Sequence, residues 1–231
     1  DDDLTPTITT SSNYAVVINT YKRPDMLKDA VQHYAQKCGP RYGVAQVFII
    51  WSELDTQPTP IPLKQGSSKV EFLRMETNSL NTRFLPIPQL ASTGVFMVDD
   101  DVRVHCSSLS QGFHAWTASP NSLVGYYPRL AKISKKSLRA ASSNDNLNNQ
   151  HWIYHNWLKV FLSHKLNIIL TKACFLHKQY FDIYWDPQQH PKQILDFVDS
   201  HRNCEDIAMA MLVANSTGAL PVYVQGSLVD K

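Results

Sequence analysis

The 231-residue sequence predicts an α/β fold, a sheet flanked by helices, and three observations lead to this prediction. Short apolar runs of the kind found in buried parallel strands recur along the chain. Segments in which apolar residues have helical spacing lie between these runs. Hydrophobic residues form 43% of the chain and charged residues 18%, a balance that supports a buried core and excludes a disordered chain.

The first half of the sequence predicts a βαβ unit followed by two further strands. Helical spacing begins at Pro24, which suits a first turn, and ends near Gln36, before Gly39-Pro40 closes the segment. A proline-rich loop covers residues 56–68. Apolar runs predict strands at residues 14–19, 44–51, 70–75 and 95–98.

The second half predicts more helices and strands of the same domain. Ser107 or Ser108 can cap a helix over the apolar residues that follow. The polar, basic stretch 132–150 predicts a mobile surface loop. Without repeats or a linker, residues 14–231 are expected to form one domain after an N-terminal tail at residues 1–13. Further helices are predicted at residues 175–184, 191–199 and 205–214, and strands at 123–127, 167–170 and 221–225.

Composition and charge exclude several classes of protein. Lys and Arg number 22 and Asp and Glu number 20, so the net charge of +2 provides no bulk positive field for nucleic acid. The apolar runs are far shorter than a transmembrane helix requires. The four cysteines lack the spacing of a zinc site, and the sequon Asn215-Ser216-Thr217 favours a secretory-pathway lumen.

Three adjacent aspartates follow the strand predicted at residues 95–98. Ligands bind at the carboxyl ends of strands in α/β sheets, and three neighbouring carboxylates repel each other. In an extended segment Asp99 and Asp101 point to one side and Asp100 to the other, a geometry in which a hard divalent cation or a ribose diol relieves the repulsion. A solvated acidic turn is the alternative interpretation.

A second acidic feature opens the last predicted helix. Asn203 is the predicted N-cap, and Glu205 and Asp206 occupy the first turn. Asp206 lies at the edge of the buried stripe of this helix, which makes it a candidate catalytic carboxylate. Complementing the helix dipole is the alternative role for both carboxylates.

Four amide and guanidinium side chains lie near the predicted strand ends. Asn19 and Arg23 follow the first strand, and Asn78 and Arg83 precede the strand that ends in aspartates. If the sheet is parallel, the loop after the first strand and the acidic triplet share an edge, where guanidinium groups can offset a diphosphate. Ordinary solvated loop residues are the alternative interpretation.

Seven sequence segments come in the order and spacing of a known family: Val16–Arg23, Val47–Ser52, Asn78–Phe84, Val95–Asp101, Val124–Arg129, Ile169–Phe175 and Asn203–Met209. Together they resemble the exostosin family, glycosyltransferase family 64, over about residues 14–225. The resemblance implies a GT-A-type nucleotide-sugar-binding fold with a mixed, mostly parallel sheet flanked by helices. Within the family, the chain is most similar to the plant-type branch that resembles glycosyl inositol phosphorylceramide glycosyltransferases.

The resemblance also implies a role for each candidate residue. Asp99 and Asp100 would hold the ribose and sugar of the donor, and Asp101 would hold a Mn²⁺ ion. Asp206 matches the family's catalytic aspartate, and Glu205 matches an acid that contacts the donor sugar. The residues implied to bind the nucleotide or nucleotide-sugar are Asn19, Arg23, Asn78 and Arg83.

Some positions depart from the better-known animal pattern of the family. Asn19 stands where Gln is usual, and Ser52 stands where an Asn contacts the base, so Ser52 is the expected base-contacting residue. Cys38 and Cys106 both occur in the plant-type pattern, which implies a disulfide between them in an oxidising lumen. Family members continue through a segment with a basic residue near the diphosphate and a cysteine partner for the counterpart of Cys204, and this chain is expected to lack that segment.

The resemblance therefore predicts a metal-dependent retaining glycosyltransferase. It would move a sugar, N-acetylglucosamine in the leading interpretation, from a UDP-sugar to a glycan or glycosyl inositol phosphorylceramide-type acceptor. A GDP-mannose-dependent mannosyltransferase and a degenerate module that binds nucleotide-sugar without turnover are the alternatives. The expected location is the Golgi or endoplasmic reticulum lumen, as the luminal domain of a membrane-anchored protein, with no nucleic-acid partner and no membrane span in this chain.

Overall fold

The computed structural model describes residues 10–134 and 152–231. The loop predicted at residues 132–150 lies mostly outside these ranges, and its first two residues belong to a strand. The described residues form a mixed α/β architecture in which helices cover both faces of a seven-stranded, mostly parallel sheet. The predicted fold class is confirmed.

The first half of the chain alternates strands and helices as predicted. Its strands are β1 (Tyr14–Thr20), β2 (Val44–Trp51), β3 (Lys69–Arg74), β4 (Gly94–Asp99) and β5 (Val102–Val104). Its helices are α1 (Pro24–Val31), which continues as a π-helix (Gln32–Cys38), two short 3-10 turns (Pro40–Tyr42 and Leu80–Phe84) and α2 (Cys106–Ala118). The N-cap of α2 is His105 rather than either predicted serine.

The second half contains shorter strands and four described α-helices. The strands are β6 (Val124–Gly125), β7 (Pro128–Ile133), β8 (Trp152–His155), β9 (Ile168–Ile169), β10 (Ala173–His177), β11 (Val222–Tyr223) and β12 (Leu228–Asp230). The helices are α3 (Trp157–Ser163), α4 (Gln179–Trp185), α5 (Lys192–His201) and α6 (Glu205–Thr217). Two small sheets, β12-β5 and β8-β7-β9, flank the central one.

The central sheet has the strand order β11-β6-β10-β4-β1-β2-β3. Its neighbours are parallel except at β10, which runs antiparallel to both β4 and β6. The predicted helix at residues 175–184 is therefore wrong in its first part, because Phe175 lies in β10 and α4 begins only at Gln179. A short apolar run does not distinguish a strand from a helix, and here burial on both faces favours the strand.

Alternating side chains of β1 supply both layers of the core. Tyr14, Val16 and Ile18 pack in the layer of α1 and α2, whereas Ala15 and Val17 face the layer of α4 and α6. Because both faces are covered, β1, β2 and β4 are held rigidly side by side, and their carboxyl ends lie at one edge of the sheet. Among the described residues, no helix has the length and hydropathy needed to cross a membrane.

A disulfide joins Cys38, at the end of the π-helix, to Cys106, the first residue of α2, as the family resemblance implied. Its two Cα atoms are 5.2 Å apart, and 68 positions separate the cysteines along the chain. The bond closes a loop that contains β2, β3, β4 and the three aspartates. It therefore ties the helix that follows β1 to the helix that follows the acidic turn and β5.

Removing this disulfide is expected to lower the free energy of unfolding by about 4 kcal/mol, since closing a loop of this length constrains the unfolded chain. The Cys38→Ala/Cys106→Ala variant and the reduced wild-type protein should unfold at the same lower urea concentration. Urea denaturation with and without reductant measures this. A wild-type transition that reductant does not move would contradict the prediction, and the double variant, which reductant cannot affect, is the control.

Candidate active site

The predicted site residues, except Asn78, lie together near the carboxyl edge of the central sheet. Asn19 in β1 pairs directly with Asp99 at the end of β4, and Ser52 follows β2, the other neighbour of β1. Ser52 is buried there, and the backbone carbonyl of Asn19 accepts a hydrogen bond from the Asp100 amide at 3.1 Å. This is the edge at which open α/β sheets bind ligands.

The acidic triplet turns sharply instead of continuing as a strand. β4 ends at Asp99, and Asp100 and Asp101 form a turn before β5. The Arg23 guanidinium contacts Asp100 at 3.1 Å and Asp101 at 3.2 Å through one nitrogen, so these two carboxylates face the same group. The prediction that Asp100 points away from Asp101 is wrong, because the alternation of an extended strand does not apply within a turn.

Asp100 is the buried member of the triplet. Its carboxylate accepts a hydrogen bond from the Thr20 hydroxyl at 2.7 Å in addition to its contact with Arg23. Burial raises the pKa of Asp100, and the Thr20 hydrogen bond and the Arg23 charge oppose this rise. The buried Arg103 guanidinium donates hydrogen bonds to the Asp100 carbonyl at 2.7 Å and to the Met26 carbonyl at 2.6 Å. It therefore links the acidic turn to the first turn of α1.

Asp101 lies between two cationic side chains. Arg23 contacts one of its carboxylate oxygens, and the Lys172 ammonium lies 3.5 Å from the other, Oδ1, which is buried and accepts no hydrogen bond among the described residues. Lys172 also pairs with Asp230 of β12 at 2.9 Å. Burial acts to lower the pKa of Lys172, but its hydrogen bond to Asp230 and the Asp101 charge outweigh it and raise that pKa.

Arg83 connects the acidic turn to α6. Its guanidinium is 2% exposed and contacts Asp99 at 2.7 Å and Glu205 at 3.3 Å. Burial acts to lower the pKa of Arg83, but the charges of Asp99, Asp206 and Glu205 raise it overall. Burial raises the pKa of both Asp99 and Glu205, and the Arg83 charge opposes the rise in each case.

The first turn of α6 places Glu205 against Arg83 and Asp206 against Thr171, and the region between these residues and the acidic turn is called the cleft below. The N-cap is Cys204, with a left-handed φ of 78°, and not Asn203, whose side-chain oxygen accepts from the Cys204 amide at 2.8 Å. A left-handed residue other than glycine costs energy and is typical of functional turns. Asp206 accepts hydrogen bonds from the Thr171 amide at 2.8 Å and from the Thr171 hydroxyl.

Asn78 lies apart from these contacts. It lines a cavity of about 290 Å³ together with Asp199 and Arg202. Within the described parts of the chain it forms no hydrogen bond to the acidic turn, so its predicted role in nucleotide-sugar binding stays a prediction. Neighbouring Ser79 hydrogen-bonds to Asp199, which ties this loop to α5.

Sequence reasoning missed several residues of the cleft. Thr20 directly follows Asn19 and could have been found as the next polar residue of the same strand end. Thr171 and Lys172 precede β10, and the helix wrongly predicted to begin at residue 175 concealed their approach to the acidic edge. Asp230 reaches this region because β12 pairs antiparallel with β5, and no local sequence pattern predicts that pairing.

Comparison with known proteins identifies the family of this fold and cleft. The sequence profile of the Glycosyl transferase family 64 domain matches residues 14–229. The chain belongs to glycosyltransferase family 64. The matched residues extend from the first residue of β1 to within β12 and include every predicted site residue.

Proteins with three different names are similar to this chain. Glycosylinositol phosphorylceramide mannosyl transferase 1 of Arabidopsis thaliana is 35% identical over 94% of this chain and 64% of its own length. Glucosamine inositolphosphorylceramide transferase 1 of Oryza sativa subsp. indica is 30% identical over 91% of this chain and 25% of its own length. Human Exostosin-2 is 28% identical over 93% of this chain and 27% of its own length. The chain thus spans under two thirds of the first relative and about a quarter of the other two.

Proposed function

We propose that this family 64 domain is a metal-dependent retaining glycosyltransferase that moves a sugar from a nucleotide-sugar to a glycolipid or glycan acceptor. The observation that carries the proposal is the buried Arg83, which joins Asp99 of the acidic turn to Glu205 beside Asp206. Asp99, Glu205 and Asp206 are the carboxylates to which the family resemblance assigns donor binding and catalysis. Through Arg83 they lie close together, near the edge at which open α/β sheets bind ligands. The names of the related transferases point to the same class of reaction.

The residues of the turn fit a divalent cation such as Mn²⁺. Asp101 has a buried oxygen without a hydrogen bond among the described residues, and carboxylate oxygens are suitable ligands for Mn²⁺. Asp101 would hold the ion together with the donor diphosphate. When bound, the cation would supply Lewis-acid stabilisation of the leaving nucleoside diphosphate.

The chain's own residues would orient the donor and stabilise charge. Arg23 is 51% exposed, so its remaining N–H groups can reach a diphosphate and spread its developing charge. Arg83 is a positioning residue in this proposal, because its guanidinium is buried and engaged by Asp99 and Glu205. Ser52 and Asn19, at the neighbouring strand ends, would bind the nucleotide.

Asp206 would act at the reacting carbon. No strong nucleophile is evident on this edge among the described residues, so retention would proceed by front-face attack of the acceptor hydroxyl through an oxocarbenium-like state. Thr171 fixes one carboxylate oxygen of Asp206 by two hydrogen bonds. The carboxylate would support the positive charge of the sugar or position the acceptor hydroxyl.

Two donors are proposed, each with its own support. UDP-N-acetylglucosamine is the donor implied by the exostosin resemblance. GDP-mannose is favoured by the 35% identity to a protein named as a mannosyl transferase and by Ser52, which replaces an Asn at the expected base contact. A panel of UDP- and GDP-sugars, assayed for hydrolysis and transfer with and without Mn²⁺, tests the proposal. Donor binding without any turnover would instead support the degenerate binding module.

Replacing Asp101 by alanine is expected to abolish Mn²⁺-dependent donor binding, because it removes the one carboxylate of the turn assigned to the ion. Calorimetric titration of each protein with the nucleoside diphosphate, in the presence of Mn²⁺ and in the presence of a chelator, measures the effect. Asp55→Ala, an exposed aspartate on the loop after β2, is the control and should bind as the wild type does. Equal affinity of Asp101→Ala and wild type in Mn²⁺ would remove Asp101 from the metal site.

A luminal location in the secretory pathway is part of the proposal. The Cys38–Cys106 disulfide suits an oxidising compartment. Asn215 of the sequon is exposed in the last turn of α6, where an attached glycan would extend into solvent. Mass spectrometry of secreted protein before and after glycosidase treatment tests the modification.

A further inference from the structure

Beside the cleft, β8 and α3 carry large apolar side chains that project into solvent. Trp157 is 59% exposed, Phe161 69% and Leu162 67%. Single exposed apolar residues are ordinary, but a group on two adjacent elements marks an interaction surface. The group, called the aromatic surface below, consists of Trp152, Tyr154, Trp157, Leu158, Phe161 and Leu162.

The amphipathic pattern of α3 is reversed relative to a surface helix in water. Val160 is the buried residue of α3 and holds it to the fold. The larger apolar residues, at positions 157, 158, 161 and 162, have the spacing of one helix face and are all exposed. A helix that faced only water would carry polar residues at these positions, so this face is suited to an apolar medium.

The aromatic surface is bordered by positive charge. Lys132, Lys159 and Lys165 are exposed, and none of them forms an ion pair within the described residues. Residues 152–170 contain two lysines and no acidic residue, in contrast to the aspartate-rich cleft. Exposed Trp and Tyr beside unpaired Lys is the composition of a surface that lies in the headgroup layer of an anionic bilayer.

Tyr154 connects the aromatic surface to the cleft. It lies in β8, which joins β9 through β7, and β9 ends two residues before Thr171, whose amide donates a hydrogen bond to Asp206 at 2.8 Å. Tyr154 also pairs across the sheet with Ala131 of β7. The aromatic surface therefore begins at the side of the cleft where Asp206 lies.

We propose that the aromatic surface docks this domain onto the face of an anionic lipid bilayer, so that a membrane lipid headgroup reaches Asp206 without leaving the membrane. The choice of a glycolipid as acceptor rests on the proposed function, whereas the docking itself does not. The docking is peripheral: Trp and Tyr would lie at headgroup level, Phe161 and Leu162 would enter the acyl boundary, and the lysines would contact lipid phosphates.

Vesicle co-sedimentation tests the proposal. The wild-type chain should bind phosphatidylcholine vesicles that contain phosphatidylinositol more tightly than vesicles of phosphatidylcholine alone. The Phe161→Ser/Leu162→Ser variant should lose about tenfold or more in partition coefficient, since two apolar side chains no longer enter the bilayer. Leu54→Ser/Leu220→Ser, which changes two exposed leucines elsewhere, is the matched control and should bind as the wild type does.

Other results would overturn the proposal. Absence of vesicle binding by the wild type would do so, as would equal binding by the wild type and Phe161→Ser/Leu162→Ser. If the wild type did not bind vesicles but formed a concentration-dependent dimer, and Phe161→Ser/Leu162→Ser were monomeric, a second copy of the chain would be the partner of the aromatic surface. Donor hydrolysis in solution should be the same in all three proteins. If hydrolysis is absent while vesicle binding persists, the proposed function fails and the docking stands.

Discussion

Replacing Arg83 by methionine should lower the free energy of unfolding by about 3–5 kcal/mol, the usual cost of breaking a buried ion pair by removing one partner. Arg83 is 2% exposed and contacts Asp99 at 2.7 Å and Glu205 at 3.3 Å. Methionine retains much of the apolar volume but leaves both carboxylates without their cation. Urea denaturation at neutral pH measures the loss.

The deficit of Arg83→Met should depend on pH in a defined direction. Burial already raises the pKa of Asp99 and of Glu205 above their ordinary values of 3.8 and 4.5, and removing the Arg83 charge raises both further. A carboxyl group whose pKa is higher in the folded than in the unfolded state stabilises the folded state at pH values below its unfolded-state pKa. This stabilisation is lost as the pH rises through the folded-state pKa. The difference from wild type should therefore be largest at neutral pH and shrink on mild acidification.

Two further variants isolate the cause of this effect. Arg83→Lys retains the charge but cannot bridge two carboxylates with a planar fork, so its stability should fall between wild type and Arg83→Met. Arg74→Met removes an exposed arginine of β3 and should change stability by only about 0.5 kcal/mol or less. A deficit of Arg83→Met that stayed constant with pH would show that lost packing, and not unpaired carboxylates, causes it.

The sequence predicted the parts of the site that depend on local pattern. The apolar runs predicted β1 and β4. Because Asn19 and Asp99 directly follow these runs in the sequence, they were expected at the ends of the two strands. Parallel pairing of the strands brought the two residues together, as the structure has them. The grouping within the acidic triplet was not predictable, because a local turn overrides strand alternation after Asp99.

The contacts that surround Asp101 and Asp206 depend on long-range pairing. Lys172 and Thr171 reach the cleft because β10 inserts antiparallel between β4 and β6, and a short apolar run does not reveal that choice. Asp230 pairs with Lys172 across 58 positions and depends on β12 joining β5. Such contacts follow from tertiary packing, which sequence periodicity alone does not specify.

Replacing Asp206 by asparagine should reduce kcat by at least about 10²-fold with little change in donor Kd, if its carboxylate acts in the transition state. Asparagine retains the volume and an oxygen that can accept from the Thr171 amide, but it removes the negative charge. A role limited to the helix dipole predicts a different result, a loss of roughly 0.3–1 kcal/mol in stability with almost unchanged turnover.

Asp182→Asn provides the matched control for the Asp206 experiment. Asp182 is an exposed carboxylate in the first turn of α4 and makes no contact with the acidic turn among the described residues, so its replacement removes only a helix-dipole interaction. Melting temperature, donor affinity and transfer rate should be measured on the same preparation of each variant. We expect both variants to show similar small stability losses, and only Asp206→Asn to lose turnover. Normal turnover in Asp206→Asn would show that this carboxylate only complements the helix dipole and that another group of the cleft acts in the reaction. Glu205, its neighbour in the same helical turn, would then be the next residue to replace.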